Sequence, residues 1–260
     1  MELLFTLLMV FSKMAVANQL SVSPTYFEFQ NPAGHTVTEN VVIYNSGNEV
    51  LKAKISVGDF WYDKEGKRSF PNPGTTPYSS ASWISLPNKE IAVPAKGQIA
   101  VPFVLSIPPQ VPASGYSTLF VERLPAGDNK GQHSSVNISL RIAIPILYRR
   151  PESVNARLSL TGFTLTRPTL YKPLLLKFVL NNEDESHVFP EGSITIVKAN
   201  NKEFVAKEEI HKERVILPKQ KLGYELSLPV EPKSGKYEGL MTVFYGKEKT
   251  VVKNFSFTIP

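Results

Sequence analysis

The sequence predicts an all-β chain built of two tandem β-sandwich domains, and three observations carry that prediction. The first is that helical periodicity is nearly missing. The 21 prolines and 15 glycines recur every few residues, and no window sustains an apolar i, i+3, i+4, i+7 pattern over a helix length. The second is a series of short β-rich runs bounded by turn residues. Val41–Tyr44 runs into Asn45-Ser46-Gly47-Asn48, and Ala53–Val57, Ile99–Leu105, Ser117–Glu122, Leu174–Leu180, Ser193–Val197 and Leu240–Tyr245 follow. Many short strands at such spacing read as a sandwich or barrel. The third is that the two halves echo each other. Val41–Gly47 resembles Leu176–Asn182, each a strand closing in an Asn-led turn, and Val93-Pro94-Ala95-Lys96-Gly97 has its counterpart in Leu217-Pro218-Lys219. Asn suits such turns because its short amide bonds local backbone and tolerates left-handed geometry.

Taken from the N-terminus, Leu3–Phe11 is an apolar run too short to span a bilayer. Ala15-Val16-Ala17 then supplies the small-x-small pattern of a signal-peptidase site, with polar Asn18 and Gln19 beyond it. A signal peptide over residues 1–17, cleaved after Ala17, is the expectation, although Glu2 stands where a basic residue is usual. A domain over 18–150 follows, and Arg149-Arg150-Pro151-Glu152 marks its end. Pro151 cannot donate to a ladder and pushes Arg150 toward extended geometry, which suits a short, stiff linker. The second domain is expected over 151–260. Each half is large enough to bury a core without crosslinks, as it must be, since Cys is absent.

The net charge of +6 is not gathered into blocks of one sign. A nucleic-acid binder shows a concentrated basic face or an aromatic-basic motif, so a mildly basic solvated surface is the reading here and no nucleic-acid partner is expected. His35, His133, His187 and His211 stand far apart and in no metal-ligand spacing. There is no nucleophile elbow, phosphate loop or triad signature. No enzyme, metal or cofactor is therefore expected, and no membrane span in the mature chain. The acidic turn Asn181–Glu185 reads as a solvated hairpin tip, Trp61 and Trp83 as packing residues, and the Pro-, Gly- and Ser-rich segment Ser69–Ser82 as an exposed loop.

The most informative stretch is Ser135–Pro151, where Val136, Ile138, Leu140, Ile142, Ile144 and Ile146 are apolar at strict period two. Such a strand would run roughly 40 Å. Pro145 would break a central ladder, so the strand is expected at a sheet edge, at least locally. A long aliphatic edge strand is a hazard unless covered, and it is also the equipment for adding a strand to a partner's sheet. The same alternation equally suits a strand that fills its own core.

In the order Val22–Phe29, Val41–Asn45, Trp83–Pro87 with Val93–Gln98, Ser117–Pro125 and Ile144–Arg149, the first half resembles the N-terminal domain of the periplasmic pilus-assembly chaperones, the PapD-like family. Phrases such as Phe189–Ile194 and Gly235–Gly239 resemble bacterial immunoglobulin-like modules more generally. The resemblance implies two tandem immunoglobulin-like β-sandwich domains and a periplasmic chaperone that binds fibre or pilus subunits by donor-strand complementation. It implies Val136, Ile138, Leu140 and Ile142 as the donated residues. Subunits of a surface fibre would be the partners, with an outer-membrane usher as a further one. The alternative is an exported structural or adhesive immunoglobulin-like protein that donates no strand. The family also anchors the subunit's terminal carboxylate with two basic residues, and the matching positions here are Pro24 and Pro145. Arg141, Arg149 and Arg150 lie nearby in sequence as basic contacts, with no geometric assignment.

Overall fold

The computed structural model describes residues 19–63, 67–125, 140–151, 157–211, 214–231, 233–246 and 249–260. They form two tandem immunoglobulin-like β-sandwiches. In the first, β1 (Leu20–Ser23), β3 (Thr36–Asn45), β9 (Gln98–Ser106) and β7 (Ile84–Ser85) make one sheet, in the order β1-β3-β9-β7. The facing sheet contains β2 (Phe27–Phe29), β4 (Leu51–Gly58), β8 (Glu90–Val93), β10 (Ser114–Arg123) and β11 (Arg141–Arg149), in the order β2-β11-β10-β4-β8. A small hairpin of β5 (Trp61–Tyr62) and β6 (Arg68–Ser69) stands apart. Alternate residues of the two sheets face each other, so Val41, Ile43, Ile55, Phe103, Leu105, Leu119, Val121, Ile144 and Ile146 fill one core.

The second sandwich sets β12 (Leu158–Thr166), β13 (Leu174–Asn182) and β16 (Lys221–Leu228) against β14 (Glu191–Lys198), β15 (Phe204–Ile210), β17 (Gly235–Tyr245) and β18 (Lys249–Ile259). Its separate core gathers Leu176, Phe178, Ile194, Ile196, Met241 and Val243. Gly162, with φ of 61°, sits in the register shift between Thr161 and Thr164, a left-handed position open to glycine at little cost.

The echo between the halves is a repeated hydrogen-bond pattern. Asn45 ends β3 and is 2% exposed; its Nδ2 donates to the carbonyls of Glu49 (2.7 Å), Val93 (3.2 Å) and Pro94 (3.0 Å), while its Oδ1 accepts from Gly47 N–H (2.9 Å). Asn182 ends β13 with the same exposure; its Nδ2 donates to Ser186 (2.7 Å), Ile216 (3.0 Å) and Leu217 (3.2 Å), and its Oδ1 accepts from Asp184 N–H (3.1 Å). Even the lysine is repeated. Lys96 and Lys219 both take positive φ, 53° and 58°, and reach back to the carbonyls of Ser46 and Glu183 at 2.6 and 2.7 Å. The turn beginning at Asn181 is thus a buried structural corner at Asn182, with its carboxylates outside.

Strand β10 is buried on both faces from Ser114 to Val121. One face meets the core. The other is covered by Trp61, Phe70, Tyr78, Ser80 and Trp83 and, from the second sandwich, by His187. The Ser69–Ser82 segment, expected as an exposed loop, is pinned from its interior edge. Asp59 is fully buried, and its carboxylate accepts the N–H groups of Gly74 (3.2 Å), Thr75 (2.9 Å) and Thr76 (2.9 Å) and the hydroxyls of Thr76 (3.0 Å) and Ser79 (2.5 Å). Ser80 and Ala81 end up buried as a result. Trp61 stacks on Tyr78 at 5.8 Å and Trp83 packs edge-on against Tyr148 at 5.3 Å, so both tryptophans are packing residues.

Replacing either buried asparagine strands several carbonyls away from water. Asn45→Ala and Asn182→Ala should each lower the stability of their sandwich by about 3 kcal/mol. Urea titration followed by tryptophan fluorescence for the first domain and far-UV circular dichroism for the second checks this, and an unshifted midpoint would remove the asparagines from this role.

Candidate partner-binding site

The N-terminal segment serves both sheets of the first sandwich. β1 pairs antiparallel with β3 through Ser23–Val42, and the chain then crosses at Pro24-Thr25-Tyr26. β2 next joins the opposite sheet, parallel to β11, but only at Ile146, Leu147 and Tyr148. From Arg141 to Pro145, β11 has β10 on one side and, among the described residues, no strand on the other.

Two hydrogen bonds fix which backbone groups face that open side. Arg123 N–H donates to the Leu140 carbonyl (2.9 Å) and Arg150 N–H to the Ala113 carbonyl (3.0 Å). Antiparallel ladders alternate their bonding direction residue by residue. Even-numbered residues of β11 therefore address β10, and the N–H and C=O groups of Arg141 and Ala143, with the carbonyl of Pro145, address the open edge. Pro145 falls where its missing N–H breaks no bond to β10, which is why a proline is accommodated in this strand.

Burial grades along the same strand. Ile144, Ile146 and Tyr148 are fully buried, whereas Leu140 and Ile142 pack against the core yet keep part of their surface open. Val136 and Ile138 lie outside the described residues, as does the expected signal peptide. Leu140 and Ile142 thus stand where the core gives out along the open edge.

Beside this edge lies a cleft of about 400 Å³ at the junction of the two sandwiches. Val22, Ile142, Pro145 and Leu147 line it from the first sandwich, and Phe189 and Val215 from the second. Arg68, on the β5–β6 hairpin, is the one charged residue among the described residues of its lining. The three arginines suggested by sequence proximity are elsewhere. Arg141 lies 3.4 Å over the Phe120 ring, Arg149 pairs with Glu28 at 3.1 Å, and Arg150 is exposed. Arg68 carries no sequence signal that separates it from other surface cations; only the folding back of the hairpin brings it to the cleft.

The floor of the junction is held by a second apolar cluster in which Phe60, Tyr62, Tyr116 and Leu147 of the first sandwich meet Val215 and Leu217 of the second. Polar contacts frame it. Tyr78 Oη donates to Glu185 at 2.7 Å, and burial, reinforced by this carboxylate, pushes the phenol up to about 12. Ser114 Oγ donates to the Glu185 carbonyl, and Gln220 Nε2 donates to the Tyr62 carbonyl at 3.3 Å. Fully buried His187 bridges the domains, with Nε2 3.2 Å from Glu28 Oε1 and Nδ1 3.3 Å from Tyr116 Oη. A carboxylate can only accept, so Nε2 carries the proton and the neutral ring accepts from Tyr116 at Nδ1. Among the described residues, no group of three or more His, Asp or Glu is placed to hold a metal ion, and no helix is long and apolar enough to cross a membrane.

No protein-family model matches the chain, and no curated protein sequence matches it. Several solved structures are similar in fold. The class 5 fimbriae chaperone CfaA is 12% identical, with 93% of this chain and 99% of that one covered at a TM-score of 0.48. The chaperone–tip adhesion subunit pre-assembly complex CsuC–CsuE, from archaic chaperone-usher Csu pili of Acinetobacter baumannii, gives 12% identity, 91% and 98% coverage and a TM-score of 0.46. The E. coli chaperone DraB gives 14% identity, 92% and 96% coverage and a TM-score of 0.44.

Burial depresses the pKa of His187 below its ordinary value near 6.5, and the Arg149 charge adds to this against the opposing pull of Glu28. The folded state therefore holds the ring neutral while the unfolded chain begins to bind a proton below about pH 6.5. Stability should be fully present above that pH and fall as the pH drops through it, until the folded-state pKa is reached. His187→Gln should flatten this part of the profile, as read by thermal unfolding across the range. An equally steep profile in the variant would assign the dependence to other groups.

Proposed function

We propose that this protein is a periplasmic chaperone, exported on a signal peptide removed after Ala17, that binds subunits of a surface fibre by donating the edge of β11. It is a binding protein with no catalytic role, and the outer-membrane usher of such an assembly line would be its second partner. The observation that carries the reading is the state of β11 between Arg141 and Pro145. Among the described residues its outward backbone groups have no strand partner, and the side chains of Leu140, just before it, and Ile142, within it, are only partly covered. An edge of this kind invites an extended segment, which gains main-chain hydrogen bonds from the strand and register from the alternating side chains. Charges or bulges usually protect long edges, and here the protection would come from the partner. Within the proposed mechanism, Val136 and Ile138 extend the donated row beyond Leu140.

The test is co-expression with a candidate fibre subunit that lacks its own final strand, followed by purification of the complex from the periplasm. Leu140→Glu and Ile142→Glu should remove most of the recovered subunit while leaving the thermal unfolding of the chaperone cooperative. Because both side chains touch the core, a second measurement is needed on the native protein. Amide hydrogen exchange at Arg141 and Ala143 should slow when the subunit is bound. Unchanged recovery in folded variants, with no new protection at these amides, would favour a structural or adhesive protein that keeps the strand for itself.

A further inference from the structure

The turn between β12 and β13 carries side chains that its geometry does not call for. Thr169 and Lys172 close it with a reciprocal pair of backbone bonds, Thr169 N–H to the Lys172 carbonyl at 2.8 Å and Lys172 N–H to the Thr169 carbonyl at 3.3 Å. The Thr169 hydroxyl also accepts from Tyr171 N–H at 3.4 Å. Leu170 and Tyr171 are left at the apex, 84% and 93% exposed, more than any other large apolar side chain among the described residues. Apex positions ordinarily go to Gly, Asn, Asp or Ser, whose conformational reasons neither Leu nor Tyr shares. Pro168 is buried at the base of the turn and Pro173 follows it. A hydrogen-bonded turn with a fixed-φ residue on each side holds the two side chains out in solvent.

The apex stands at the end of the second sandwich away from the domain junction. β13 begins beside it at Leu174 and ends at Asn182, next to Glu185 and His187, which meet the first sandwich. At the usual rise that strand separates the two ends by roughly 25–30 Å. The pairings Leu174 with Leu228 and Lys198 with Tyr237 bring the connections 229–234 and 199–203 to the apex end, where Phe204 is 63% exposed. Charge there is one-sided. Lys198, Lys202 and Lys233 pair with Glu203, Glu238 and Glu231. Arg167, Lys172 and Lys236 are exposed and, among the described residues, have no carboxylate partner. Lys198, Lys233 and Lys236 also line a cleft of about 610 Å³ whose described lining holds no acidic side chain.

A projecting apolar apex needs a surface that yields to it, which a bilayer does without a preformed pocket. Leu buries in the acyl boundary, Tyr keeps its hydroxyl at headgroup level, and Lys and Arg meet the phosphates of anionic lipid. The sheets of a sandwich lie about 10 Å apart, so one flat surface reaches the apex and the lysine-lined cleft together. We infer that this end of the second sandwich docks on an anionic phospholipid surface. Leu170 and Tyr171 enter roughly 5–10 Å into the headgroup boundary, and Arg167, Lys172 and Lys236 lie on the phosphates. The inference goes beyond the strand-donation reading and does not depend on it. Docking by this end leaves β11 and the junction cleft free for a protein partner.

The experiment uses the full chain and two kinds of large vesicle, phosphatidylcholine alone and phosphatidylcholine mixed in equal parts with phosphatidylglycerol. Sedimentation should recover wild-type protein with the anionic vesicles and not with the neutral ones, and high salt should weaken the binding by screening the cations. Leu170→Ser combined with Tyr171→Ser should lower partitioning about tenfold or more. Arg167→Gln and Lys172→Gln should each lower it about fivefold, on anionic vesicles only. All four side chains are exposed, so these variants should melt with the wild type in circular dichroism. Depth is read on Tyr171→Trp, whose added emission should shift to the blue and be quenched by brominated lipid when anionic vesicles are present. Wild-type protein that ignores anionic vesicles overturns the lipid docking and leaves the apex to a protein partner. Binding that survives the double serine change, or an unshifted Tyr171→Trp emission, overturns insertion and reduces the contact to adsorption by charge.

Discussion

Each sandwich depends on one buried amide. Asn45 and Asn182 sit at the ends of equivalent strands and tie together a corner, the strand that leaves it and a segment from elsewhere in the domain. A β-sandwich has to turn corners where its ladders stop, and the carbonyls freed there must find donors away from water. A single side chain with two N–H groups and one acceptor does this at minimum size. The recurrence of the arrangement, down to the positive-φ lysines that close the following turn, is physical grounds for treating the halves as one design used twice.

What distinguishes the halves is their edges. In the first sandwich the N-terminal segment divides itself between two sheets, and the short parallel pairing at Ile146–Tyr148 covers only the end of β11. The remainder borders the cleft between the domains. The junction is rigidified from below by an apolar cluster and by the chain of contacts from Arg149 through Glu28 and His187 to Tyr116. Because His187 is held neutral, its contacts are dipolar, and the ion pair of the network is confined to Glu28 and Arg149. The cleft is thus framed by parts that hold one another in place, and the open strand edge is offered at a defined angle to its walls.

Much of this was legible in the sequence wherever the cause is local. Turn residues and period-two alternation delimit the strands, the Asn-led turns announce the repeated corners, and Pro145 marks the locally open edge because a proline has no ladder bond to give. The basic residues near the edge in sequence take separate places for physical reasons. Arg141 is drawn onto Phe120, Arg149 into the junction network and Arg150 to solvent. Arg68 arrives through a hairpin whose folding back is not encoded by any nearby pattern. The same holds for the Ser69–Ser82 segment, whose composition reads as loose while its order comes from Asp59, a carboxylate outside it. Long-range partners, not composition, decided these positions.

The division of the first segment between two sheets has a further consequence for how the molecule is made. A chain synthesised N-terminus first delivers β1 and β2 before the strands they pair with. β1 finds β3 soon afterwards, but β2 pairs with residues at the far end of the same domain. Contacts of such wide sequence separation form late because loop closure must be met before they are rewarded. Until β11 arrives, Phe27 and Phe29, which later pack against Phe103 in the core, have no strand beside them on the second sheet. Contact order thus places the closing of the domain at the pairing of β2 with β11, the strand that, among the described residues, is left without a second neighbour from Arg141 to Pro145.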